Sequence, residues 1–360
     1  MASEVSPKLH VSTSEATTFI TSILTGNGVT PTDAKLVAQC LIAADLRGVD
    51  THGMNRIPSY MTRIRQGVLC PSVTPTLTHP TPVVTQVDAH NGFGFVAADA
   101  GMAACIESAR TYGIGMASIK HSNHFGMSAW IVQKALDADM MSIVYTNSSP
   151  ALPAWGGREK LLGVSPLACG APGKDGNDFI LDMAPSVAAR GKIYKALRRG
   201  EKIPEDWALD KEGKRTDDPA KALDGGVMLP MGGPKGSGLA VMMDVFSGVL
   251  SGSAFAGDVT GPYDPSRPSD VGHFFIAVKP DLFMSLDEFR ERMQVLYERV
   301  VGAEKADGVD RIYFPGEIEQ LTQREREGSG IPLVQAEVDA LNAEAERVGV
   351  KPLVLQTVVR

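Results

Sequence analysis

Seven residues near the amino terminus, Asp50-Thr51-His52-Gly53-Met54-Asn55-Arg56, bring a hydroxyl, an imidazole and a guanidinium together. An imidazole moves protons near neutral pH, and a guanidinium fork pairs with a carboxylate. The two together suit an enzyme that acts on a carboxylate-bearing substrate. On a continuous helix from His52, His52 and Arg56 stand at i and i+4, on one face. The apolar residues that follow, Ile57, Tyr60, Met61 and Ile64, centre roughly 100° away round the helix. One side then packs, and the other presents a proton donor and an anion clamp. Pro58 belongs in a first helical turn, which puts His52 just outside the helix and loosens that geometry. A plain solvated helix face is the alternative.

Five further stretches set polar or glycine-rich groups at the ends of apolar runs. Asn91-Gly92-Phe93-Gly94-Phe95-Val96-Ala97 follows a strand, precedes a helix and fits G-x-G-x-x-A. A dinucleotide-binding unit has an acidic residue about 20 positions later, at the end of the next strand. That strand ends Ile119-Lys120-His121 without an acid, so a tight turn into a packed helix is the better account. His121-Ser122-Asn123-His124-Phe125-Gly126 spans a strand-to-helix junction, where free backbone N–H groups meet ligands. Its two histidines lack a nearby carboxylate or thiol to complete a metal shell, and no metal is expected. His124 is a second candidate acid/base, or a residue that caps the following helix. Thr146-Asn147-Ser148-Ser149-Pro150 follows an apolar strand. Its small donors can hold a ribose, an amide or a phosphate, or simply form a turn. Asp182, after Phe179-Ile180-Leu181, is a carboxylate at the border of the core. It needs a partner there, whether a ligand, a polar side chain or a helix N-terminus. Gly232-Gly233-Pro234-Lys235-Gly236-Ser237-Gly238 precedes an apolar helix and departs from the P-loop pattern. A lysine at such an N-terminus still makes an anion site; a flexible loop is the alternative. No G-x-S-x-G elbow and no supported cysteine–histidine pair is present, which leaves nucleophilic hydrolysis without a basis.

The elements that position these groups change character along the chain. Ser12 and Glu15 make a capping box before Ala16, Phe19, Ile20, Ile23 and Leu24. Thr30-Pro31 opens a second helix that runs to Arg47 and stops at Gly48. A third runs to about Gln66, and the proline-rich stretch Pro71–Pro82 reads as a domain crossing. Strands are expected at Val83–Val87, Met116–Ile119, Ser142–Thr146, Phe179–Asp182 and His273–Val278. Helices are expected at Val96–Thr111, Ser128–Ala138 and Leu239–Leu250, the last apolar nearly all round and so buried. Gly173–Asp178 reads as a turn joining two strands, and Gly200–Pro219 as an exposed polar loop. Ser285 and Glu288 cap a helix that carries Leu286, Phe289, Met293, Leu296 and Val300. After a charged run, a last helix covers about Leu333–Val348. It is expected either to embrace a second subunit or to form a solvated tail.

The 360 residues allow two or three domains at roughly 100–200 residues each. A net charge of −7 gives no basic footprint, so neither nucleic acid nor a membrane surface is an expected partner. No apolar run approaches the roughly 20 residues of a spanning helix, and the N-terminus lacks a signal-peptide pattern. Cys40, Cys70, Cys105 and Cys169 are widely spaced. They read as buried free thiols in a reducing, cytoplasmic compartment.

Taken together, these stretches closely resemble the malate/L-lactate dehydrogenase family of NAD(P)H-dependent oxidoreductases. That family includes ureidoglycolate dehydrogenase, diketogulonate reductase, sulfolactate dehydrogenase and Δ1-piperideine-2-carboxylate reductase, and is unrelated to the Rossmann lactate and malate dehydrogenases. The matching stretches are Asp45–Gly67, Asn91–Ala97, His121–Gly126, Thr146–Pro150, Asp182–Lys192, Leu229–Leu250 and Phe314–Glu317, in the family's order. The resemblance implies an α/β fold of the α+β type. A non-Rossmann cofactor domain on a mostly antiparallel seven-stranded sheet joins helical elements from both chain ends, in a homodimer. Residues 1–80 then form a helical part with the catalytic segment, and 81–280 the cofactor-binding domain. Residues 281–360 return to the N-terminal part and the dimer partner. Gly92 and Gly94 shape a turn rather than hold a pyrophosphate.

Carried over residue by residue, the resemblance implies His52 as general acid and Arg56 as the clamp on the substrate carboxylate. Thr51 supplies a supporting hydroxyl where members often have serine. His124 matches the proton acceptor of the ureidoglycolate branch, so the acid/base role stays open between the two histidines, with Asp182 in the catalytic set. Ser148, Asp182, Met183, Ala184, Lys235 and Pro315-Gly316-Glu317 match cofactor contacts, joined by the junction His124-Phe125-Gly126. The implied activity is hydride transfer between NAD or NADP and C2 of a small 2-oxo or 2-hydroxy carboxylate. Reduction of a cyclic imine such as Δ1-pyrroline- or Δ1-piperideine-2-carboxylate is the alternative, and a non-catalytic nucleotide-binding protein is a third.

Overall fold

The computed structural model describes residues 9–356. Leu9–Val11 (β1) leads into Thr13–Gly26 (α1) and Pro31–Leu46 (α2). Ser12 Oγ accepts from the Glu15 N–H at 3.2 Å and caps α1. The Glu15 carboxylate turns instead to the Val354 N–H (3.3 Å), so the expected box is half formed. Thr30 Oγ1 caps α2 with Pro31 in its first turn.

Asp50–Arg56 is not helical throughout. It forms two short 3-10 turns, Asp50–His52 and Met54–Arg56, broken at Gly53, and Ile57–Arg65 (α3) starts only after them. His52 and Arg56 therefore share no helix face. The cause lies in α2. The buried carboxylate of Asp45 accepts from the Met54 N–H at 2.8 Å and occupies the space that a side chain at position 53 would need. Only glycine lets the chain pass that close.

The chain then alternates. Thr76–Thr81 (β2), Val84–Asp88 (β3), Gly94–Tyr112 (α4), Ile114–Ser122 (β4), Ser128–Leu136 (α5) and Met141–Thr146 (β5) come first. Next are Pro150–Leu152 (β6), Leu162–Gly163 (β7), Leu167–Ala171 (β8), Phe179–Met183 (β9), Arg190–Arg199 (α6) and Ala208–Leu209 (β10). Pro219–Leu223 (α7), Val227–Met228 (β11), Pro234–Met243 (α8) and Val271–Val278 (β12) follow. Leu286–Val301 (α9), Glu317–Ser329 (α10), Ile331–Leu333 (β13) and Gln335–Arg347 (α11) complete the described chain.

Seven strands make one sheet in the order β2-β3-β4-β12-β5-β8-β9. Only β3 with β4 is parallel; every other neighbour is antiparallel. The fold is the implied mostly antiparallel one, not a doubly wound sheet. Since β12 runs against both β4 and β5, and β8 against both β5 and β9, the carboxyl ends of β4, β5 and β9 emerge together. All five expected strands lie in this sheet. Of the other two, β2 was not expected, and β8 only as the unplaced strand before the Gly173–Asp178 turn. β2 falls within the proline-rich stretch taken for a domain crossing; it is an edge strand with a register shift between Thr78 and Thr81, and Pro80 is tolerated there. β8 reads Leu-Ala-Cys-Gly-Ala and carries no β-branched residue to announce it.

Three cores hold the elements together. Ile20, Ile23, Leu41, Met61, Ile331 and Leu341 belong to the first, which joins α1–α3 to β13 and α11. α11 thus has partners within its own chain, and Arg65 pairs with Glu344 at 2.6 Å, so the helix is not a solvated tail. The second core packs α4 and α5 on the sheet through Met102, Ile119, Ile131, Val144 and Phe275. The third contains Ile193, Ile203, Ala208, Ala222, Met228 and Ala240. Residues 200–219 are therefore not a plain exposed loop: Ile203 and Ala208 anchor them, and β10 pairs with β11.

The helix expected to be buried at Leu239–Leu250 is not. α8 passes into a π turn at Asp244–Val249, and Val241, Val245, Val249 and Leu250 are exposed on it. α9 likewise has no fully buried residue. Two of the four free cysteines, Cys40 and Cys105, are buried; Cys70 and Cys169 are only partly covered.

Candidate active site

After β4 ends at Ser122, the chain brings His124 against the Asp50–Arg56 turns. The His52 and His124 rings stack with centroids 5.4 Å apart and planes 25° from parallel. Thr51 Oγ1 lies 2.9 Å from His52 Nδ1. Arg56 Nε donates to the Thr51 carbonyl at 2.5 Å, tying one turn to the other. Its guanidinium lies 4.7 Å from the centre of the Tyr263 ring.

Tyr60 completes the group. Its hydroxyl sits 2.7 Å from His124 Nδ1, and the Gly126 N–H donates to the same nitrogen at 3.2 Å. A nitrogen that accepts a backbone N–H carries no proton, so neutral His124 holds its proton on Nε2. Burial pushes the Tyr60 phenol up, which keeps it protonated as the second donor. From the sequence Tyr60 reads as a packing residue. The signal was available: a tyrosine in an apolar stripe needs a partner for its hydroxyl, and this one follows Arg56 by a helical turn.

Both imidazoles are neutral at pH 7. Burial, then the charge of Arg56, brings His52 down to about 4. Burial first, then Arg56 and His52, holds His124 well below its usual value. Each ring is crowded by protein yet still reached by solvent, which is the setting of a cleft.

Asp182 lies one residue before the end of β9, and its Oδ2 accepts from the Ala129 N–H at 2.8 Å. It therefore caps α5, the helix that follows His124. Burial pushes its carboxyl up to about 6, against the pull of that N–H and of Arg47. Beyond it, the Pro185 carbonyl accepts from Met231 N and Leu229 O from Val187 N, at 2.8 and 2.9 Å. These bonds stitch Asp182-Met183-Ala184 to the loop that carries Lys235, which stands exposed in the first turn of α8.

The remaining candidates divide. Ser148, beyond β5, has a buried hydroxyl with no hydrogen-bond partner among the described residues. Pro315 lies along the outer edge of β9, its carbonyl accepting from Ile180 N at 3.2 Å, and so it sits beside the strand rather than at its carboxyl end. The Glu317 carboxylate, beyond Gly316, is engaged in its own turn, by the Phe314 N–H at 2.9 Å and by Arg311. Phe125 is buried against His273, with ring centroids 4.6 Å apart, and its side chain serves the core. Thr51, His52, Arg56 and His124 thus form one group, and Asp182–Ala184 with the Lys235 loop a second, joined through the start of α5.

A nicotinamide dinucleotide fits this arrangement. The orphaned hydroxyls of Ser148 and Ser128 lie at the end of β5 and the start of α5. The Asn91–Ala97 turn contributes no phosphate cradle. Asn123 Nδ2 donates to the Gly92 carbonyl at 2.8 Å, and a side chain on Gly94 would strike the backbone of Asn123 and His124. The N-terminus of α4 is covered by chain. Among the described residues, no three His, Cys, Asp or Glu side chains are grouped to hold a metal ion, and no helix is long and apolar enough to cross a membrane.

Fold and site define a class: a non-Rossmann α/β protein with two neutral imidazoles and a guanidinium in one cleft. The chain belongs to the malate/L-lactate dehydrogenase family, whose profile matches residues 11–342. It is 37% identical over 346 residues to a malate dehydrogenase of Pyrococcus abyssi, covering 94% of this chain and 95% of the relative. The structure of sulfolactate dehydrogenase from Methanocaldococcus jannaschii superposes with a TM-score of 0.90 at 35% identity, over 96% of this chain and 98% of that one. That of Δ1-piperideine-2-carboxylate reductase from Pseudomonas syringae gives 0.84 at 28% identity, over 93% and 99%. Relatives named for NAD(+) and for NADP(+) both occur.

Proposed function

We propose that the protein transfers a hydride between NAD or NADP and C2 of a small 2-oxo or 2-hydroxy carboxylate. The observation that carries this is Arg56, fixed beside two neutral imidazoles. Arg56 is 9% exposed, and only its Nε is bonded to protein among the described residues. Its terminal nitrogens are left for a carboxylate, which a guanidinium holds by a two-pronged pair. The bound cofactor supplies or takes the hydride.

The two histidines divide the remaining work. With its proton on Nε2, His124 donates a hydrogen bond to the C2 oxygen. We assign the proton of neutral His52 to Nδ1, donated to Thr51 Oγ1, which leaves Nε2 as the acceptor that takes the proton during oxidation. In reduction, His52 must arrive protonated. A substrate carboxylate on Arg56 cancels one of the two causes that hold His52 neutral, so substrate binding itself favours the uptake of that proton.

Arg56→Lys is expected to lower kcat/KM by at least roughly 10-fold while kcat changes less, since a point charge replaces the fork. Steady-state kinetics checks this, and an unchanged kcat/KM would remove the role. The proposal as a whole is tested by NADH and NADPH oxidation with a panel of 2-oxo acids and cyclic imines. Turnover of 2-oxo acids supports it. Turnover of cyclic imines alone favours the second reading, which the similarity to the piperideine-2-carboxylate reductase supports. In that reading hydride still reaches C2 beside a carboxylate, and Arg56 serves unchanged.

We propose further that the protein is a cytoplasmic homodimer. The four free cysteines suit a reducing compartment. The exposed side chains of Val241, Val245, Val249 and Leu250 suit a covered face.

A further inference from the structure

Arg47 closes the C-terminus of α2 and is only 8% exposed. Its Nε is buried without a hydrogen-bond partner among the described residues. Asp182 and Glu319 are the anionic groups around it, and it forms an ion pair with neither. Arg326 of α10 donates to the Asp45 carbonyl and pairs with the Asp50 carboxylate, which lays α10 against the end of α2. The chain that leads into α10 lies on β9 through Pro315 and Ile180. Arg47 therefore sits where α2, α10 and β9 meet, beside the carboxylate that caps α5.

A guanidinium this covered, with its Nε buried and unmet, costs free energy until an acceptor reaches it. The α2 dipole offers it only the partial charge of a helix C-terminus. The substrate carboxylate belongs to Arg56, and the carboxamide of a nicotinamide is neutral. A diphosphate supplies both negative charge and paired acceptor oxygens, which is what a guanidinium fork matches.

We propose that Arg47 binds the diphosphate of the nicotinamide dinucleotide, an inference that rests on the cofactor reading above. The test is calorimetric titration of the full chain and of Arg47→Met with NADH and with ADP-ribose, which keeps the diphosphate and lacks the nicotinamide. Thermal unfolding is measured without ligand alongside. Both affinities are expected to fall by at least roughly 10-fold in the variant. The ligand-free Tm is expected to change little, because the variant loses a desolvated charge together with its attraction to Asp182 and Glu319.

Unchanged ADP-ribose affinity in the variant overturns the assignment, whatever happens to NADH. A lower ligand-free Tm with unchanged ADP-ribose affinity makes Arg47 a structural partner of Asp182 and Glu319 instead. A native chain that binds NADH but not ADP-ribose overturns the diphosphate assignment and spares the cofactor reading. A native chain that binds neither, and NADPH no better, overturns both. Should Arg47→Met not fold, Arg47→Lys keeps the charge and loses the fork; its ADP-ribose affinity is expected to fall several-fold, and equal affinity overturns the proposal.

Discussion

His52→Gln is expected to lower kcat by at least about 10²-fold in both directions while cofactor affinity stays within a few-fold, since a positioned proton carrier contributes roughly 10²–10⁴. His52→Ala should lose as much. His124→Gln should lose far less, because glutamine keeps an N–H donor for the C2 oxygen and His124 is assigned no proton transfer. The stacked rings make this comparison informative, since they are neighbours with the same burial and different hydrogen-bond partners. Steady-state kcat and cofactor titration on the two variants check it. Near-normal turnover in His52→Gln would take His52 out of the mechanism, and a reversed order would give the proton to His124. The pH profile carries the same information. With its pKa lowered to about 4, His52 keeps its base form as the pH falls, so its acid limb in kcat/KM for oxidation lies below pH 5 rather than near the ordinary value of about 6.5.

Gly53→Ala is expected to cost about 1–3 kcal/mol of stability, the range for forcing a methyl group into filled space. Activity should fall further than stability. The added carbon would meet the Asp45 carboxylate, which is buried and holds the Met54 N–H. Relief requires moving the turn that sets His52 on one side of position 53 and Arg56 on the other. Urea unfolding and kcat/KM on the variant check both parts. Adding Asp45→Ala to Gly53→Ala should return part of the lost activity, as coupled neighbours do. A Gly53→Ala protein equal to the native one in both measurements would mean that the turn is not held by this contact.

The parts of the fold that periodicity describes were legible from the residues. Strands such as Met141–Thr146 and Val271–Val278 alternate or run apolar between turns, and Ser12 and Thr30 mark their helix starts. β8 follows from the Gly173–Asp178 turn but could not be placed by its own residues, because Leu-Ala-Cys-Gly-Ala has neither alternation of polarity nor β-branching. The apolar run through Leu250 was misread for a different reason. An all-apolar helix must be covered, but nothing in a sequence says whether its own chain does the covering. Residues 200–219 look polar because their anchors, Ile203 and Ala208, are few. In the site, His52, Arg56 and His124 were found by residue type and by family resemblance. Tyr60 and Arg47 were not. A phenol in an apolar stripe passes as packing. An unpaired guanidinium shows only when its neighbours are known. From its neighbours Asp182 reads equally as ligand or cap; in three dimensions its carboxylate caps α5, a helix distant from it in sequence.

The most direct measurement of the central claim follows one hydrogen atom. The protein is turned over with a 2-oxo acid and NADH or NADPH carrying deuterium at the transferred C4 position, and the product is read by NMR. Direct hydride transfer to C2, beside a carboxylate held by Arg56, predicts a 2-hydroxy acid with deuterium at C2. A product without deuterium at C2, or no turnover of any 2-oxo acid with either cofactor, would contradict it.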